Sequence, residues 1–256
     1  MIRSLDDLTH YTFEAKDGEI GRVQDLYFDD HAWTVSYLVV DTGRWLPGRT
    51  VLLSPQAIEA IDGENHTVRL ALDRPLVEKS PPVVADEPVS QQKQKEIHEY
   101  YGWRPYWIAT PFPLDHPLWR TGRGPKSPAE PSRRARRGDP HLRSVEEVTG
   151  YAAECPDGDC GVIDDVACDD ADWRVRFMVV DTHRWLPGRK VLIAVEWIRE
   201  IDWSERKVRV DVARERIRES PPFDPEAPID RAYEEALYDF HGRPLGGRRV
   251  RGEDDV

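Results

Sequence analysis

"WTVSYLVVDTGRWLPGRTVLLS" runs from Trp33 to Ser54, and "WRVRFMVVDTHRWLPGRKVLIA" runs from Trp173 to Ala194. The two stretches share Val-Val-Asp-Thr, Arg-Trp-Leu-Pro-Gly-Arg and Val-Leu in one order, 140 positions apart. Working outward, the register holds without a gap from Arg3/Arg143 to Pro82/Pro222, with 34 identical pairs among 80 positions. Both copies open Arg-Ser and carry Tyr11/Tyr151, Asp17-Gly18/Asp157-Gly158 and Asp29-Asp30/Asp169-Asp170. Both close Ser-Pro-Pro. The same offset pairs Pro88 with Pro228 and Gly102 with Gly242. Self-similarity at a fixed spacing means one structural unit written twice.

Within each copy the pattern is that of strands. In "EIGRVQDLYFDD" (Glu19 to Asp30), Ile20, Arg22, Gln24, Leu26 and Phe28 alternate with Gly21, Val23, Asp25 and Tyr27, a strand near the rim of a core. The Asp-Asp pairs that follow read as solvated turns, because Asp bonds its own backbone there and adjacent carboxylates point different ways. "WTVSYLVVDT" and "WRVRFMVVDT" are β-branched and aromatic, hence central strands. "RTVLLS"/"RKVLIA" and "TVRLALD"/"KVRVDVA" supply two more. Short strands at this spacing predict a sandwich or a small barrel. After Ser-Pro-Pro the period changes to that of a short helix. Ser90 caps the first, Ile97, Tyr100 and Tyr101 form its apolar face, and Gly102 stops it. Asp230 caps the second, with Tyr233, Leu237 and Phe240 on one face and Gly242 at its end. An ~80-residue barrel has a thin core. A helix laid on it, with a partner barrel packed as in a covalently joined dimer, supplies the missing burial.

The 256-residue chain carries a net charge of -12, which opposes general attraction to nucleic acid or an anionic membrane. No apolar run approaches the ~20 residues of a membrane span, and "MIRSLDDLTHYTF" has no signal-peptide core. These features predict a soluble, cytoplasmic protein. Pro105 to Leu142 differs in character, with seven Lys or Arg against three Asp or Glu. Its first part is aromatic and is expected to pack on a domain. Its second part, with Arg133, Arg134, Arg136 and Arg137, reads as a flexible linker. The expected organisation is a first barrel with its helix (1–104), the linker (105–142), a second barrel with its helix (143–245) and a tail (246–256).

These residues resemble the PRC-barrel family, known from the cytoplasmic domain of the H subunit of bacterial photosynthetic reaction centres. A related barrel forms the C-terminal half of a ribosome maturation factor. The resemblance rests on the turn and strand of Asp17, Gly18, Gly21, Val23 and Asp25, on the strand Tyr37 to Thr42, and on the loop Trp45 to Val51. The trailing "YYGW" (Tyr100 to Trp103) is similar to that of bacterial two-barrel members. The resemblance implies a mainly β chain of two small antiparallel barrels, each followed by a short helix. It implies docking on other macromolecules, not catalysis, and no cofactor. The chain departs from the reaction-centre subunit in lacking its N-terminal membrane helix, and from the maturation factor in having a second barrel where that protein has a different domain.

The repeated loop admits two readings. Pro47-Gly48 and Pro187-Gly188 suit a type II turn, whose third residue needs positive φ. Trp45 and Trp185 can then cap a barrel end, with an Arg of the loop stacked on the ring and Asp41 or Asp181 paired to one. Alternatively Asp41, Arg44, Trp45, Pro47, Gly48 and Arg49, with Asp181, Arg184, Trp185, Pro187, Gly188 and Arg189, form a docking surface, since Trp and Arg dominate binding hot spots. Tyr100, Tyr101, Trp103, Tyr106 and Trp107 are candidates for aromatic packing or docking. No catalytic set is apparent, because a hydrolytic or acid/base site needs paired groups with a positioned base and the two loops share no such pair. Cys155, Cys160 and Cys168 with His183 match no zinc spacing, and the first copy has Ala15, Ile20, Phe28 and Gly43 there. Three clustered Cys do not form a disulfide framework and read as small buried thiols. The expected function is a non-catalytic scaffold that binds a protein or itself. The alternatives are an accessory of a photosynthetic or membrane electron-transfer complex, and an RNA- or ribosome-associated factor using the linker arginines.

Overall fold

The computed structural model describes residues 1–83, 89–105, 141–182, 189–225 and 227–244, except the side chain of Gln92. The chain divides into two compact units that are discontinuous in sequence. One comprises Met1–Tyr11, Val23–Leu38 and Arg143–Val256, the other Thr12–Arg22 and Val39–Leu142. The fold is mainly β, in two sheets with the same strand order.

The first repeat contributes β1 (Ile2–Ser4), α1 (Leu5–Thr9), β2 (Thr12–Ala15), β3 (Gly18–Asp29), β4 (Thr34–Asp41), β5 (Thr50–Leu53), β6 (Ile58–Asp62), β7 (Thr67–Leu70), α2 (Arg74–Glu78) and α3 (Gln91–Tyr101). The second contributes β8 (Leu142–Ser144), α4 (Val145–Val148), β9 (Ala152–Cys155), β10 (Gly158–Asp169), β11 (Val175–Asp181), β12 (Lys190–Ala194), β13 (Ile198–Asp202), β14 (Lys207–Val210), α5 (Arg214–Glu219) and α6 (Arg231–His241). The sheets run β5-β4-β3-β2-β7-β6 and β12-β11-β10-β9-β14-β13, open paths with no ladder between their end strands among the described residues.

The expectation of purely antiparallel sheets is corrected. β2 lies parallel to β7, and β9 parallel to β14. The reason is a corner that is not a hairpin. β12 passes into β13 through a single 3₁₀ turn at Val195–Trp197, and the two strands do not pair. Four true reversals then separate β9 from β14, so both point the same way. The simple alternation expected for β3 is also corrected: Gly21, Val23 and Asp25 are buried early, Leu26 and Phe28 later. A bulge adds a residue and flips the faces, and the matching β10 shows register shifts at Ile163/Asp165 and Ala167/Cys168.

The first unit holds a reciprocal exchange between the repeats. β1 adds to β10 in the register Ile2↔Asp169 to Ser4↔Ala167, while β8 adds to β3. The repeated Arg-Ser openings are the clamps. Arg3 Nε donates to Asp170 at 2.6 Å, and Arg143 Nε donates to Asp30 at 3.2 Å. Ser4 Oγ donates to Asp165 at 2.5 Å, and the Asp6 N–H donates to the same carboxylate at 3.1 Å. Asp25 does the same for the other strap, accepting from the Glu146 N–H at 3.1 Å and from the Ser144 hydroxyl. Behind the clamps Leu5, Leu8, Val145 and Val148 are buried, worth roughly 1.5–3 kcal/mol each. At the centre the Val35 N–H meets the Trp173 carbonyl and the Val175 N–H meets the Trp33 carbonyl, both at 2.8 Å. Trp33 and Trp173 hold left-handed φ of 53° and 59° to make these turns, uncommon for a bulky residue and kept only where the surroundings impose it. Reciprocal pairs of this kind are the mark of an isologous interface. Asp29 and Asp169 serve their own turns, accepting from His31 and Ala171 N–H groups.

The helices end as the sequence predicts. Ser90 and Asp230 accept from the Lys93 and Tyr233 N–H groups, and Gly102 and Gly242 close them in the left-handed region. Their buried faces differ from the expected ones, being Gln94, Ile97 and His98 in α3 and Leu237 and Tyr238 in α6. One aromatic has changed place between repeats. In the first unit Trp197 is 1% exposed and packs on Tyr238 and His241, with Arg243 over its ring. Ala57 stands at that position of the other repeat, and an indole is supplied instead by Trp103, against Tyr101 and His98.

The reading of three free thiols is corrected. Cys155 and Cys160 are bonded across the β9–β10 hairpin with a Cα–Cα distance of 5.9 Å, and Cys168 alone is a buried free thiol. The hairpin faces the two positions together, which linear spacing does not reveal. No helix among the described residues is long and apolar enough to cross a membrane.

Candidate functional site

The repeated loop of the second unit connects β4 to β5. Its hub is Thr42, 1% exposed, whose hydroxyl lies 2.7 Å from both the Leu46 and the Arg49 carbonyl oxygens. The Thr42 N–H also donates to Arg49 O at 3.2 Å. Arg49 N–H closes a turn onto Leu46 O at 3.1 Å, and Gly48 sits at φ 76°, as a type II turn needs. Asp41 accepts from the Gly43 N–H at 2.9 Å. The polar groups of the loop are thus largely consumed by its own backbone.

Arg49 belongs to that scaffold. Its Nη2 donates to the Ser80 carbonyl at 2.5 Å, which ties the loop to the Ser-Pro-Pro segment. Arg189 does the same to Ser220 in the other repeat, where Thr182 again bonds Arg189 O at 2.7 Å. Arg184, Trp185, Pro187 and Gly188 lie outside the described residues, as do Tyr106, Trp107 and the linker arginines Arg133, Arg134, Arg136 and Arg137.

Trp45 is half-buried, and the guanidinium stacked on it is Arg74 of α2, 4.6 Å from the ring centre. The expectation that Arg44 or Arg49 takes that place is corrected. Asp17 sets this up by accepting the Arg74 N–H at 2.7 Å, which starts α2 beneath the loop. Asp157 and Arg214 repeat the bond at 2.7 Å. Gly18 leaves the space for the Arg74 side chain, 3.0 Å from where a Cβ would lie. Gly21 is under a stronger constraint: a Cβ there would stand 1.9 Å from the Asp41 carbonyl oxygen. Together these residues line a cleft of about 650 Å³ that includes Glu19, Arg22, Asp41, Arg44, Trp45 and Arg74.

Of the residues singled out in the sequence, the structure brings Asp41, Arg44 and Trp45 to this cleft and turns Arg49 away. Tyr100 donates to Leu76 O at 2.7 Å, and Tyr101 stacks on Trp103 at 4.1 Å, so these aromatics pack locally. Burial pushes the Tyr101 phenol up to about 12. Thr42, Arg22 and Arg74 were not foreseen. The signal for Thr42 and Arg74 was their recurrence as Thr182 and Arg214. Arg22 has no counterpart and gave no signal. Among the described residues no group of three or more His, Cys, Asp or Glu is placed to hold a metal ion. Compared with models of known protein families and with curated proteins, the chain matches none.

Proposed function

We propose that this chain is a non-catalytic docking protein built from two PRC-barrel-like repeats, which holds a protein partner or a second copy of itself at the Trp45 loop. One observation carries the reading. The loop spends its polar groups on its own scaffold, yet leaves the Trp45 ring half-accessible at a cleft edge with Arg74 on its face and Arg44 exposed beside it. Tryptophan and arginine on a rigid support are the residue types that dominate hot spots. A preformed loop also loses little entropy on binding.

The test is Trp45→Ala in the full chain. Circular dichroism and thermal melting report the fold, and light scattering with affinity capture reports association. The expected result is an unchanged fold with association weakened about tenfold or more, roughly 1.4 kcal/mol. A variant that unfolds makes the loop a corner of the fold. A folded variant with unchanged association removes the docking role.

A further inference from the structure

We infer that the cleft beside Trp45 is a recognition site for a carboxylate-rich segment of a partner protein, built on three arginines of which the second repeat replaces one. The inference rests on the docking reading above and adds the chemistry of what docks. Arg22, Arg44 and Arg74 line one cleft against Glu19 and Asp41. No ion pair joins any of the three guanidinium groups to a carboxylate among the described residues, and Asp41 is engaged with the Gly43 N–H. Arg74 is positioned by the Trp45 ring, and its buried Nε has no hydrogen-bond partner.

The cleft of the other unit shows what a satisfied site looks like. About 490 Å³ in size, it is lined by Arg3, Lys190 and the α-amino group. There Arg3 and the amino group each lie 2.6 Å from Asp170, and Lys190 lies 2.6 Å from Asp164. Three unpaired forks in a cleft of ligand size suit planar carboxylates, which they bind two-pronged. A net charge of -12 repels long polyanions. Screening over about 8 Å at physiological salt leaves a short acidic segment inside the cleft governed by the three arginines. That favours a peptide over a nucleic acid. In the second repeat Val162 stands where the first has Arg22, so the third fork is absent there.

The experiment is fluorescence anisotropy of the full chain with a short fluorescein-labelled peptide of alternating Glu and Ala around one Phe. Binding is expected at about 50 mM salt and is expected to weaken toward about 500 mM. Arg22→Val, which copies the second repeat, is expected to weaken it about tenfold, and Arg44→Glu to abolish it. Both side chains are exposed, and melting curves confirm that the variants fold. The inference is overturned if the wild-type chain does not bind, if both variants bind like wild type, or if a Lys-Ala peptide binds as well. It is also overturned if inorganic phosphate or a single-stranded oligonucleotide displaces the peptide at equal concentration. If these arms fail while Trp45→Ala still loses association, docking stands and its carboxylate chemistry falls. If Trp45→Ala also loses nothing, both fall.

Discussion

Asp165 offers the sharpest test of the exchange between repeats. It is 8% exposed, and burial raises its carboxyl from 3.8 to about 6. Its Oδ1 accepts from the Val166 and Asp6 N–H groups at 2.6 and 3.1 Å, and its Oδ2 accepts from Ser4 Oγ. The folded state therefore holds the proton more tightly than the unfolded state. For an acid raised in this way, stability is greatest below pH 3.8 and is lost as pH rises through about 6. Two pH units correspond to about 3 kcal/mol between the limits. Asp165→Asn fixes the neutral form. Its Oδ1 keeps the two backbone donors, but its amide now donates toward Ser4 Oγ, which already accepts from the Asp7 N–H, at a cost of about 1 kcal/mol. The variant should thus be more stable than wild type by about 2 kcal/mol at about pH 7.5. By about pH 4.5 the advantage should vanish, because the wild-type folded state has taken up its proton. Urea unfolding followed by tryptophan fluorescence at several pH values measures this difference. A difference that stays constant from about pH 4.5 to 7.5 would refute the buried-clamp argument.

Asp25 caps the opposite strap, and burial raises its carboxyl too, so Asp25→Asn should change the pH dependence of stability in the same direction as Asp165→Asn in the same unfolding assay. Gly21→Ala should lower stability by more than about 3 kcal/mol, because the new Cβ would meet backbone rather than a movable side chain. Gly43→Ala, at φ 52° with open space around it, should cost only about 1 kcal/mol, and thermal melting separates the two. Replacing Cys155 and Cys160 by the first repeat's Ala and Ile should cost at most about 2 kcal/mol, since the closed loop is short. Thiol titration of the denatured wild-type chain should count one free cysteine, and three would remove the bridge.

What was legible in the sequence is what repeats locally. Strands, the Pro47-Gly48 turn and the Ser90 and Gly102 caps depend on neighbours in the chain, and each copy confirmed the other. The exchange was not legible. Arg3, Ser4, Asp25 and Asp30 recur at their offset positions, but nothing in a single chain says that each strap bonds the other copy's carboxylates. The Asp pairs looked like solvated turns because their first members accept N–H groups of their own turns. The second members serve the clamp. Parallel β2–β7 pairing escaped for a similar reason, since a one-turn corner and a hairpin use similar residues. Arg22 could not be found by recurrence, because Val162 stands at its position in the second repeat.

The clamp chemistry has a consequence for a repeat taken alone. In the intact chain Arg3 binds Asp170 and Arg143 binds Asp30, while Ser4 serves Asp165 and Ser144 serves Asp25. Each pair has the same residue types, so a strap fits either strand. A chain of residues 141–244 keeps β10 with no β1 beside it and a strap with no β3. Two such chains can supply each other, Arg143 to the partner's Asp170 and Ser144 to the partner's Asp165. The fit is poorer where Val145 and Val148 replace Leu5 and Leu8, each losing one methylene at about 1 kcal/mol. Tethering in the intact chain also acts as an effective concentration in the mM range, which two free chains lack. The isolated repeat should therefore be a weak dimer by light scattering, tightening as its concentration rises. Arg143→Asp should dissociate it, and adding Asp170→Arg should restore the dimer, because the exchanged charges meet again across the interface. A folded monomer at all concentrations, with its strap protected from hydrogen exchange, would show that the strap closes on its own repeat and that the exchange is a product of tethering rather than of the repeat's own surface.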